Sequence, residues 1–277
     1  MGHEAVDKQS KDQTNPPISG LDMGPTIEWY TANQEALFDH LSFTSEAVGF
    51  KVQDPQFIHI DSEKIAGLIL RFPRKGIRRS RLHTGAIIGK PPLYFSKETT
   101  GENIQTTTDV SQALSPTAFI PSYTDNSRWR ETGKPSSDIY LYQIPQVPDK
   151  VAQIIHAQGL IHEFAHTIVT HALYGEGQRL LLPNGEIVNS RDYLMRFANL
   201  AKKHDPISHY SSHFRKPGEE FASPLAIEEE FVETVAARYL GFAYTDDPNP
   251  FKRFAPLYDR PEVDQLVWNF LSADVTT

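Results

Sequence analysis

The sequence predicts an α+β protein whose strands and helices are segregated along the chain. Two observations carry this. Residues 50–145 hold short β-prone runs broken by Pro and Gly. From Asp149 onward the apolar residues recur at helical spacing instead. At 39% hydrophobic and 22% charged, the 277 residues supply enough apolar mass for a sizeable core.

Residues 1–24 are polar and turn-rich and are expected to form a disordered tail. Residues 25–277 are expected to form a single domain, strand-rich over 25–148 and helical over 149–277. The boundary need not separate independently folding units. "TANQEALFDHLSF" carries a Thr31-x-x-Gln34 capping box and reads as a helix. "FKVQDPQFIHID", "IAGLILRF", "TGAIIG", "PLYFS" and "DIYLYQIP" read as strands, the last as a sheet edge. The basic cluster Arg71–Arg81 reads as a solvated loop rather than a nucleic-acid patch.

The helical half is better punctuated. A long helix starts near Asp149 and stops at Gly175 and Gly177; its apolar residues cover most of its circumference, so it should be buried. "LLLPNGEIVN" reads as a hairpin turning at Asn184-Gly185. A second helix is capped by Asn189 or Ser190. In a third, Ser223 is the cap and Pro224 the first residue, and Gly241 ends it. "RPEVDQLVWNFLSA" is a last helix.

A net charge of −8 argues against a nucleic-acid partner, and no apolar run is long enough to span a membrane. The start of the chain lacks the apolar segment of a Sec signal peptide. The absence of cysteine excludes disulfides, thiolate catalysis and Cys-based zinc sites. Any metal must then be held by His, Asp or Glu. Nothing in the chain specifies an oligomer, and a monomer is favoured.

One stretch carries the chemistry. In "LIHEFAH", His162 and His166 stand four apart on the long helix, about 40° apart in projection and one turn along the axis. Two imidazole nitrogens can then reach one zinc ion, with Glu163 beside the first ligand as base for an activated water. Three unpaired polar side chains inside the most apolar helix would each cost about 1–3 kcal/mol, which disfavours a purely structural reading.

A catalytic zinc site needs a third protein ligand. The longer pattern HExxHxxGxxH fails, because Val169 and Ala172 occupy its Gly and third His positions. His171 falls one residue early and reads as structural, as does His156. The run "AIEEEFVETVA" offers Glu228, Glu229, Glu230 and Glu233. Glu229 shares a face with Leu225, Val232, Ala236 and Leu240 and is chosen as ligand, with Glu228 and then Glu230 as fallbacks. Glu233 would accept a hydrogen bond from a ligating histidine. Glu230 lies on a more polar side. In the loop "DPISHYSSHFRKPGEEF", Tyr210 is the candidate oxyanion donor, with His209 and His213 as rivals.

The order "HEFAH", "SHYSS", "EEFVE" resembles the gluzincins, the zinc peptidases with two helix histidines and a downstream glutamate, and within them the lethal-factor-like catalytic domains. The resemblance covers roughly residues 138–242 at the level of motifs. It implies a zincin-like fold, with a mixed sheet packed on the helical half. It implies His162, His166 and Glu229 as ligands of one zinc ion per chain, Glu163 as base, Tyr210 as oxyanion donor and Glu233 behind a histidine. The Tyr-to-Glu spacing is longer here than in that family. The expected activity is a metalloendopeptidase acting on a protein or peptide, bound in a cleft between the strand near 138–145 and the long helix. The same site would serve a zinc hydrolase of a non-peptide substrate, or a regulatory protein using the metal structurally. The setting expected is cytoplasmic or secreted without a Sec signal, including a toxin or effector delivered into host cells.

Overall fold

The computed structural model describes residues 50–81, 84–92, 122–125, 137–144, 149–174, 177–208, 211, 214–215, 220–240, 242–244, 254–256 and 260–276. The expected tail, the helix over 31–43 and all of the run "PLYFS" after its Pro92 lie outside them.

The fold is α+β. A four-stranded sheet has the order β1-β2-β4-β3, from β1 (Lys51–Gln53), β2 (Thr84–Lys90), β3 (Ser122–Asp125) and β4 (Ser137–Tyr142). β1, β2 and β4 run parallel, and β3 runs antiparallel beside β4. Two helices, α1 (Ser62–Leu70) and α2 (Arg74–Arg81), lie between β1 and β2 in the chain. The long helix α3 (Asp149–Leu173) packs against β3 and β4 on one side and α1 on another. After it come the hairpin β5 (Arg179–Leu181) and β6 (Ile187–Asn189), then α4 (Ser190–Ala201) and α5 (Pro224–Leu240). β7 (Phe242–Tyr244) pairs with β8 (Phe254–Pro256), and α6 (Pro261–Leu271) leads to β9 (Asp274–Val275), which pairs with β5.

Several local expectations are corrected. "IAGLILRF" is not a strand but the body of α1. Asp61 caps that helix, its side chain accepting from the Lys64 amide at 2.8 Å. Ile65, Ala66, Leu68 and Ile69 are all buried, so the run has no polar face to betray its period. The basic cluster after it is not a loop: Arg74–Arg81 is helical, and Arg79 is buried with its guanidinium 4.7 Å from the Phe270 ring centre. β4 is not an edge strand. β3 covers it, and among the described residues β3 forms that edge of the sheet. The β-prone run after Phe50 is also shorter than expected, giving way at Pro55–Phe57 to a single 3₁₀ turn.

The caps of α4 and α5 follow the sequence, whereas β3, β7, β8 and β9 were not expected from it. Asn189 caps α4 through the Arg191 and Asp192 amides. Ser223 Oγ accepts from the Ala226 amide at the start of α5. The hairpin turns one residue earlier than expected. The Leu182 carbonyl accepts from the Gly185 amide, placing Pro183 and Asn184 at the turn centre, and Gly185 follows at φ +85°. The core gathers around α3. Phe164 meets Phe50 and Phe72 at ring distances of 5.4 and 4.7 Å, and Phe231 of α5 meets Phe197 and Phe270.

Candidate metal centre

α3 and α5 lie against each other with their chains antiparallel. Glu228 stands beside His166 and Thr170, while Glu233 stands beside His162. Both helices are apolar around most of their surface, so the polar residues between them have little water to satisfy them. They satisfy one another instead.

The Nδ1 atoms of His162 and His166 lie 2.7 Å from Glu233 Oε1 and Glu228 Oε1. A carboxylate only accepts, so each Nδ1 must carry the proton and donate it. That turns both Nε2 atoms toward each other, 3.1 Å apart. Glu229 completes a triangle, its oxygens 3.5 Å from His162 Nε2 and 3.7 Å from His166 Nε2. Donors about 2.1 Å from one tetrahedral ion stand about 3.4 Å from each other, so the two nitrogens and the Glu229 carboxylate are spaced as ligands of one ion. Glu229 Oε2 is buried and finds no hydrogen-bond partner among the described residues, as expected of an oxygen reserved for a cation. Among the described residues, His162, His166 and Glu229 form a group able to hold a metal ion.

The electrostatics agree. Burial by itself lowers the pKa of His162, but Glu229 and Glu233 outweigh it and push it up to about 10. Burial likewise opposes charge on His166, which Glu229 and Glu228 hold well above the ordinary value. Burial would raise Glu229, yet His166 and His162 draw it well below the usual carboxylate range. The pocket thus favours positive charge at the Nε2 positions, which a divalent cation supplies as it displaces protons.

Each sequence candidate can now be placed. His162, His166, Glu229 and Glu233 come together as the spacing suggested. Glu228, the first fallback ligand, instead supports His166 from behind and accepts from Thr170 Oγ1 as well. Glu230, the second fallback, faces away from the histidines. It is not on a polar side but fully buried, accepting from Arg260 at 2.8 Å with Arg215 3.5 Å away. His156 and His171 lie outside the group. His156 joins the His59 amide to the Tyr142 carbonyl, and His171 lies 3.4 Å from Ser137 Oγ. Tyr210, His209 and His213 are outside the described residues.

Glu163 is buried on the side of α3 that meets the sheet. Its carboxylate accepts from Ser122 at 3.0 Å and from Thr124 at 2.7 Å, both on β3. Neither hydroxyl was singled out in the sequence. Their one signal is the alternation Ser-Tyr-Thr, too short to mark a strand facing a helix. Arg260 carries no local signal either, because its partner Glu230 is 30 residues away.

No protein-family model matches the chain, and no curated protein or solved structure matches it.

Proposed function

We propose that the protein is a zinc-dependent metallopeptidase of the gluzincin kind. The observation that carries this reading is the group of His162 Nε2 and His166 Nε2, 3.1 Å apart, with Glu229 Oε2 3.5 Å from the first and Glu229 Oε1 3.7 Å from the second. A two-nitrogen, one-oxygen set without cysteine is the donor set of catalytic zinc, and three protein ligands leave one position open. The motif order shared with the gluzincins points the same way.

His162, His166 and Glu229 would hold the ion, and Glu233 and Glu228 keep the imidazoles in the ligating tautomer and orientation. When bound, zinc supplies Lewis acidity toward water and the scissile carbonyl. Glu163 takes up the proton of the attacking water on a carboxylate oxygen and returns it to the leaving amine. A peptide adding to the sheet as a further strand would pair with the outer edge of β3, not with the interior strand β4.

The test is elemental analysis of the tag-free protein, followed by product analysis on casein or a peptide library. About one zinc per chain and internal peptide cleavage are expected. Glu163→Gln should keep zinc and fold while hydrolysis falls by at least about 100-fold. Full activity in that variant refutes the mechanism, and a protein that takes up no zinc refutes the site.

A further inference from the structure

We propose that Ser122 and Thr124 are positioning residues for Glu163, and that β3 holds the base as well as closing the sheet. This rests on the hydrolytic reading above only for the role of Glu163, not for its geometry.

Ser122 and Thr124 are two apart on a strand, so they share one face, and the intervening Tyr123 points to solvent at 51% exposure. Register places them opposite Leu141 and Ile139 of β4. Ser122 Oγ meets Glu163 Oε1 at 3.0 Å, and Thr124 Oγ1 meets Oε2 at 2.7 Å. Thr124 Oγ1 also lies 3.2 Å from the Glu163 carbonyl, which keeps the strand close to the helix backbone.

The close approach depends on Gly159, one helical turn before Glu163 and on the same face. A Cβ at that position would lie 2.7 Å from Ser122 Oγ and 2.9 Å from Ser122 Cβ. Any larger residue would push the serine away from the carboxylate. A helix glycine costs about 1 kcal/mol relative to alanine, and here it is offset by the seat it gives β3.

Hydroxyls suit a base that must change protonation state. A carboxylate offers about four lone pairs, and two hydroxyl donors leave one on each oxygen for an incoming proton. Once Glu163 is protonated, either hydroxyl can turn and accept from it, since a hydroxyl is both donor and acceptor. Backbone N–H or guanidinium partners, which only donate, would satisfy the anion alone. The pair therefore holds one side-chain orientation through both halves of a proton transfer.

The experiment compares Thr124→Val, Thr124→Ser and Ser122→Ala with the wild type. It measures kcat and KM on a cleaved peptide, zinc content, and the Glu163 conformation in crystals of the metal-free protein. In Thr124→Val and Ser122→Ala, kcat should fall by about 10–100-fold with KM and zinc content unchanged. Thr124→Ser should recover most of the rate. In the crystals, Glu163 should leave its position in Thr124→Val and keep it in Thr124→Ser. An unmoved Glu163 in Thr124→Val overturns the proposal, as does an equal loss in Thr124→Ser, or a loss that appears as weaker zinc binding. If the wild type holds zinc but cleaves nothing, the hydrolytic reading fails by itself, and the crystals still decide whether β3 positions Glu163.

Discussion

The first half of α3 should make the protein sensitive to acid through His156. This side chain is fully buried. Its Nδ1 accepts from the His59 amide at 2.9 Å, and its Nε2 lies 2.8 Å from the Tyr142 carbonyl and must donate to it. Protonating Nδ1 would break the first bond and leave a charge without water. Burial is the main cause that pushes its pKa down to about 4; the Tyr142 carbonyl opposes this, and the neighbouring His59 ring adds to it. In the unfolded chain the group titrates near 6.5. Between those values the unfolded state binds the proton and the folded state does not. The stabilisation is therefore complete above about pH 6.5 and is lost as pH falls toward 4. The gap corresponds to about 3 kcal/mol. His156→Gln supplies the test, because an amide oxygen and NH₂ can make the same two bonds without titrating. Urea unfolding at pH 7.5 and pH 4 should show the wild type losing about 3 kcal/mol more than the variant. Parallel losses in the two proteins would refute the assignment of a neutral, acid-sensitive His156.

Two further outcomes follow from the same structure. Glu233→Gln, which exchanges the acceptor of the His162 Nδ1 proton for a neutral amide, should weaken zinc affinity by about 10–100-fold, read by chelator competition, with the fold retained. Arg260→Leu strands the buried Glu230 carboxylate, with Arg215 3.5 Å away among the described residues, and should cost about 3 kcal/mol, or about 5 °C in a thermal melt. Adding Glu230→Leu should restore most of that loss.

The helical half was legible because its signals are local. Asn189 and Ser223 cap helices through side chains that reach two or three residues ahead, and the four-residue spacing of His162 and His166 fixes a shared face whatever surrounds it. The helical form of α1 is hidden because Ile65–Ile69 are buried without a break; such a run shows no period, and the Asp61 cap is the clue to its helical form. The place of β4 in the sheet was equally hidden. Strand order depends on which strand pairs with Leu141 and Ile139, and β3 is joined to β4 by pairing rather than by any local pattern.

The site divides in the same way. The sequence by itself determined the two histidines, the glutamate between them and a downstream helix rich in glutamate. The packing of α5 against α3 decided what each glutamate does. Glu228, Glu229, Glu230 and Glu233 are chemically identical and close in sequence, yet they support His166, face both Nε2 atoms, pair with Arg260 and support His162, respectively. About 100° of rotation separates successive residues on a helix, so neighbours in sequence meet different partners. The hydroxyls on Glu163 likewise exist only once β3 lies on Gly159. Spacing along one helix is written in the chain, whereas contact between elements is set by how their buried faces fit, and that required the folded molecule.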